Sequence, residues 1–162
     1  MSHTVIEMNC PGCGARVSTG QSECVWCHKP IIISTFNSVY SMPMPEVNKF
    51  AGAYRKALAE NPDNQELNNS VAMCYLKLKL YDKALPAFEK AMEDNFDNSE
   101  TFFYAAVCLL KGRKAFLCNR PEIDKIEEYI NAAIMIEPRG VYYYLLAYIK
   151  YDYFNRKFFK TS

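Results

Sequence analysis

Two short stretches, Cys10-Pro11-Gly12-Cys13 and Cys24-Val25-Trp26-Cys27, place four thiols in two tight pairs with ten residues between them. Two thiolates presented by one tight turn reach a single metal ion easily, and four of them form a tetrahedral shell suited to a soft cation. Such a shell leaves no position for water, so the chemistry it supports is structural and not catalytic. The chain holds seven cysteines, an odd number. A disulfide within either pair would strain a very short loop, and the spacing favours metal.

The flanking residues sharpen this. Met8-Asn9-Cys10-Pro11-Gly12-Cys13-Gly14-Ala15-Arg16-Val17, followed by Cys24-Val25-Trp26-Cys27-His28-Lys29-Pro30-Ile31, resembles the short bacterial zinc-ribbon domain. In that family two knuckles of the form CPxCG and CxxCGxPL face each other across zinc. The resemblance implies Zn(2+) held by Cys10, Cys13, Cys24 and Cys27. Gly14 supplies the positive φ a knuckle needs. His28 stands where the second glycine belongs, and histidine tolerates that region better than most residues; a spare metal ligand is its other reading. A rubredoxin-like iron site uses the same four ligands and would be told apart by colour. A thioredoxin-type redox motif needs a βαβ setting that this sequence lacks. About 30 residues cannot bury enough apolar surface to fold alone, and metal binding worth roughly 10–16 kcal/mol would make up the deficit.

The elements that carry these residues change character along the chain. Residues 1–36 are rich in turn formers and β-branched residues, the vocabulary of short strands. Residues 37–45 (Asn37-Ser38-Val39-Tyr40-Ser41-Met42-Pro43-Met44-Pro45) read as a linker, because prolines interrupt a helix. Residues 46–162 show apolar residues at three- and four-residue spacing. The domain reading is therefore 1–36 ribbon, 37–45 linker and 46–162 helical.

The helical part repeats. Asn61-Pro62-Asp63-Asn64 is followed 34 residues later by Asn95-Phe96-Asp97-Asn98, and Cys74/Cys108, Ala57/Ala91 and Tyr54/Phe88 keep the same offset. Pro138 follows Asn98 by 40 residues, with the surplus falling near Lys111–Pro121. With Ala72, Tyr75, Ala84, Phe88 and Ala91 in one unit, and Phe102, Ala105, Ala106, Ala133 and Pro138 in the next, the chain resembles the tetratricopeptide repeat. Asn68, Phe96 and Ile126 depart from that pattern. Phe50, Tyr54, Ala57 and Pro62 fit the second helix of a unit whose first helix is missing. The expected fold is mainly α, a solenoid of about six helices near 46–60, 65–79, 82–95, 99–116, 122–137 and 141–159, with a small N-terminal β ribbon. Asn64 (or Asp63) and Ser99 are the expected N-caps.

The resemblance implies a peptide groove lined by the first helix of each pair, here Asn69, Met73 and Lys77, then Phe103 and Tyr104. The arginine of the family's carboxylate clamp has no counterpart, so that specificity is not carried over; Phe103 and Tyr104 suggest an apolar or aromatic-rich guest instead. The last helix, Val141–Phe154, holds six of the twelve tyrosines. Val141, Tyr144, Leu145, Tyr148 and Asp152 form one stripe, which can pack on the preceding pair. Tyr142, Tyr143, Leu146, Ile149 and Tyr153 form another, which suggests a partner or self-association surface. The first solenoid helix lacks a preceding partner, and either the Ile31-Ile32-Ile33 edge or Trp26 is expected to dock on it.

A net charge of +1 gives no global attraction to nucleic acid or acidic membranes. Local clusters (Lys111, Arg113, Lys114, Arg120; then Arg156, Lys157, Lys160 beside Phe158 and Phe159) make a nucleic-acid-associated factor the alternative function, read out by charge reversal at Lys114 and Arg120. Cys74 and Cys108 read as small buried residues, and Cys118 as an exposed thiol in the inserted loop. No nucleophile–base pair, carboxylate pair or phosphate loop stands out, so no enzyme is expected. A thiol redox or metal-transfer protein, which would need reactive Cys10 or Cys24, is the third reading. The N-terminus lacks the n- and h-regions of a secretory signal, and no stretch is apolar over a membrane's width; a cytoplasmic protein–protein interaction module is the expected whole.

Overall fold

The computed structural model describes residues 4–93 and 95–157. It is mainly helical, with one small antiparallel sheet. The chain divides into two compact units, Met1–Glu93 and Asp94–Ser162.

The first unit opens with β1 (Glu7–Asn9) and β2 (Arg16–Ser18), paired with Met8 opposite Val17. Alternation buries Met8 and Val17 and leaves Glu7, Asn9 and Arg16 in solvent. A single helical turn, α1 (Asn37–Tyr40), follows within the segment expected to be a linker. Then come α2 (Met44–Glu60), α3 (Gln65–Lys77) and α4 (Tyr81–Met92). Pro45 lies in the first turn of α2, where its missing N–H costs nothing. Asn64 caps α3 as expected, accepting from the Leu67 N–H at 3.0 Å.

Helix α3 is buried at every position from Leu67 to Leu76, polar residues included. Burial all round requires neighbours on every side. Helices α2 and α4 supply two of them, with Ala84, Phe88 and Ala91 of α4 buried, and the third is the chain's own residues 31–40. The Asn69 amide and the Ser70 hydroxyl both donate to Ile33 O, the Ile33 N–H donates to Ser70 Oγ at 2.9 Å, and α1 lies against α3. Ile31, Ile33 and Val39 are fully buried. The isoleucine edge therefore docks, whereas Trp26 is 75% exposed and does not.

The second unit contains α5 (Ser99–Leu110), α6 (Arg120–Ile136) and α7 (Gly140–Ile149). Helix α5 is six residues shorter than the expected 99–116. Lys111 and Gly112 both take positive φ, and a 3-10 turn, Ala115–Leu117, follows. Asn98, not Ser99, caps α5 by accepting from the Glu100 N–H. Ser99 is instead buried, with its hydroxyl 2.8 Å from Tyr142 OH. Asn119 and Glu122 form a capping box at the start of α6. Helix α7 widens into a π-helical turn, Lys150–Asn155; the expected end of this helix, Phe158 and Phe159, lies outside the described residues. No helix among the described residues is long and apolar enough to cross a membrane.

Candidate metal centre and helical surfaces

The two Cys-x-x-Cys turns are built alike. The Cys10 N–H donates to Ala15 O and the Gly14 N–H to Cys10 O; fourteen residues on, the Cys24 N–H donates to Lys29 O and the His28 N–H to Cys24 O. In each turn a main-chain N–H also points at the first sulfur, Gly12 N–H at Cys10 Sγ (3.3 Å) and Trp26 N–H at Cys24 Sγ (3.4 Å). The equivalent residues Gly14 (φ 84°) and His28 (φ 62°) both occupy the left-handed region. Gly12 has a different reason: a Cβ there would meet Cys27 Sγ at 3.0 Å.

Facing each other, these turns bring the four sulfurs within 4.8 Å of one another. Cys10 and Cys27 are 3.6 Å apart, as are Cys13 and Cys24. A tetrahedron with metal–sulfur bonds of ~2.3 Å has edges of ~3.8 Å, so the donor set fits one ion. The separations are far from a bonded S–S distance, and all four thiols are free. The Cys27 N–H holds the Cys24 thiol down to about 6, against burial and with help from Trp26 N–H. The Lys29 N–H favours the thiolate of Cys27, but burial and the neighbouring sulfurs outweigh it and push Cys27 up to about 11. Four thiolates cannot share this space without a compensating cation. His28 is exposed and lies 3.8 Å from Glu23, outside the cluster.

The helical faces differ from expectation. Asn69 and Met73 are buried, and Lys77 donates to Tyr40 O at 2.6 Å with its ammonium over the Tyr40 ring. These three do not line an open groove, because residues 31–40 lie there. In the second unit Phe103 is buried with its ring 4.8 Å from that of Tyr142, while Tyr104 is half-buried. Tyr142 and Tyr153 are also buried, against the expectation of an open stripe. The packed face of the last helix is Tyr142, Ile149, Asp152 and Tyr153; the exposed one is Val141, Tyr143, Tyr144 and Tyr151. Tyr144, expected on the packed stripe, is 76% exposed.

Asp152, expected on the packed stripe, is buried there, but sequence reasoning did not foresee the polar web around it. The residue is 5% exposed, and its carboxylate accepts from the Phe116 N–H (3.0 Å), Arg156 (2.9 Å) and Tyr148 OH (3.4 Å). It ties the inserted loop to the last helix, with the Arg156 guanidinium 4.0 Å from the centre of the Phe116 ring. An acidic residue in an apolar helix was the available signal. The same web buries Cys118, expected to be exposed, and burial pushes its thiol up. Cys74 and Cys108 are buried as expected, and burial raises each thiol to about 12.

The basic cluster is largely paired within the chain. Arg113 meets Glu122, Arg120 meets Asp124 at 2.8 Å, and Lys157 donates to Cys118 O.

A tetratricopeptide-repeat family model matches residues 51–102. The search of curated proteins found no match.

Proposed function

We propose that this chain works by binding, as a non-catalytic protein-interaction module with a structural zinc ribbon. The observation that carries the reading is the pair of helical hairpins, α3–α4 and α5–α6, beginning within the stretch that matches the tetratricopeptide repeat. Repeats of this kind suggest protein interaction and require no chemistry of their own.

In this reading residues 1–36 are the metal-folded part, 37–45 join it to the helices, and 46–162 are the repeat domain. Zinc suits the four-sulfur shell best, because it needs neither an open position nor a redox change. Paired knuckles and buried Cys10 and Cys24 support a resident structural ion over a thiol redox or metal-transfer role. Internal pairing of the basic residues gives the nucleic-acid reading no support.

The partner surface proposed is the exposed face of α7, Tyr143 and Tyr144 with Tyr151 nearby. A second copy of the chain is the occupant favoured, since aromatic faces of this kind associate readily. Light scattering of wild type against Tyr143→Ala/Tyr144→Ala tests it. A dimer mass in wild type and a monomer mass in the variant is the expected result. Equal masses would remove α7 as an interface.

A further inference from the structure

Between the first knuckle and α2 lies a groove of about 940 Å³. All three residues of β1 line it, whereas β2 contributes only Arg16, so the outer side of β1 forms one wall. That side is an unpaired strand edge. The Cys10 N–H donates to Ala15 O and the Thr19 N–H to Ile6 O, so residues 6, 8 and 10 turn their main-chain groups toward β2. By the alternation of an antiparallel ladder, Glu7 and Asn9 turn theirs away from it. The sheet has two strands, and no strand among the described residues pairs with this edge.

The other wall is α2. Lys49, Gly52, Ala53 and Lys56 follow one another at helical spacing, so two lysines flank a low floor. A Cβ added at Gly52 would meet nothing closer than the Arg55 guanidinium at 3.7 Å, so a guest can approach the helix backbone there. The α2 wall is electropositive, with Lys49, Arg55 and Lys56 against Glu60; on the other side Glu7 lies 3.6 Å from Arg16, and the net negative charge of four thiolates around a zinc ion sits behind Cys10 and Cys13. Lys49 donates to Gly12 O and Arg55 reaches Tyr75 OH, and no carboxylate among the described residues pairs with either.

We infer that this groove takes an extended acidic peptide, added as a third strand on β1 with carboxylates on alternate residues facing Lys49 and Lys56. Strand addition supplies main-chain bonds, and the period of two places every second side chain on the α2 side. Single-stranded nucleic acid is the weaker guest. Among the described residues no aromatic side chain lines the groove for base stacking. The inference rests on the reading of the chain as a protein-interaction module.

The test is a ¹⁵N-amide NMR titration of the zinc-loaded full chain with the octapeptide (Glu-Thr)₄. Controls are (Lys-Thr)₄, a backbone N-methylated (Glu-Thr)₄ and a single-stranded thymidine octamer. Saturable shifts at Glu7, Asn9, Gly52 and Lys56 are expected, with affinity at least tenfold weaker for Lys56→Glu, for Gly52→Leu and for the N-methylated peptide. Neither substitution touches a sulfur ligand, and leucine is a better helix former than glycine, so an unchanged helical spectrum verifies folding. Shifts that miss β1 and α2, equal binding of (Lys-Thr)₄, tighter binding of the oligonucleotide, or full affinity in Gly52→Leu would each overturn it. The self-association read out at Tyr143 and Tyr144 is unaffected by either variant, so failure of the groove and failure of the interaction reading remain separate results.

Discussion

The Tyr54 hydroxyl, on α2, donates to Ile31 O at 2.7 Å, four residues beyond Cys27. Both groups are buried, and burial pushes the Tyr54 phenol well above its ordinary range, so the bond is made by the neutral hydroxyl. The edge that follows the second knuckle thus stands in for the missing partner of the first solenoid helix. Tyr54→Phe leaves the Ile31 carbonyl buried without this donor and is expected to cost about 1–3 kcal/mol. Urea denaturation followed by circular dichroism checks it, and a midpoint equal to wild type would show that the bond is dispensable.

The sulfur cluster is expected to bind one zinc per chain with four sulfurs at ~2.3 Å. Elemental analysis and X-ray absorption at the zinc edge measure both quantities. A nitrogen or oxygen in the shell would mean an incomplete thiolate set. A red, iron-loaded protein from metal-balanced growth would replace zinc with iron.

His28 carries the positive φ of the second knuckle without being glycine. Releasing that conformation should make His28→Gly more stable by roughly 1 kcal/mol with unchanged zinc affinity, whereas His28→Val should be destabilised by a similar amount. Thermal unfolding and chelator competition separate the effects. A tenfold loss of zinc affinity in the glycine variant would make His28 a ligand after all.

Local chemistry was legible where a residue type has one physical use. The four cysteines and the Asn64 cap follow from spacing and residue type, and the positive φ at Gly14 and His28 and the buried Ala84, Phe88 and Ala91 from the family resemblances that those residues carry. What the sequence concealed were contacts between distant segments. Asn69 and Lys77 look like groove donors until Ile33 O and Tyr40 O take them. The last helix is apolar on several sides, so periodicity could not choose its buried stripe; Ser99, Phe103 and the Asp152 web choose Tyr142 and Tyr153 over Tyr144.

Asp152 gives the second unit an acid-sensitive tie. Burial opposes its ionisation, but Arg156, the Phe116 N–H and Tyr148 outweigh burial and hold the carboxyl below its ordinary value. A depressed folded value means the stabilisation is complete above the unfolded value of about 3.9 and lost as pH falls through the folded one. Asp152→Asn is therefore expected to cost about 1–3 kcal/mol near neutral pH. The gap to wild type should narrow in acid, as pH falls through the lowered folded value. Urea midpoints near neutral pH and in acid measure it, and a gap that persists in acid would assign the effect to packing instead of charge.

The most direct measurement is hydrogen–deuterium exchange of the full chain with zinc bound and after chelation. If the metal holds residues 4–40 as the cover of α2 and α3, chelation removes protection from the two knuckles and the Ile33 amide together, and loosens α2. Protection across α5 and α6 stays as it was. Survival of Ile33 protection without metal would show that the cover stands by itself. Loss of protection along the whole chain in one step would show that the four cysteines hold more than a cover.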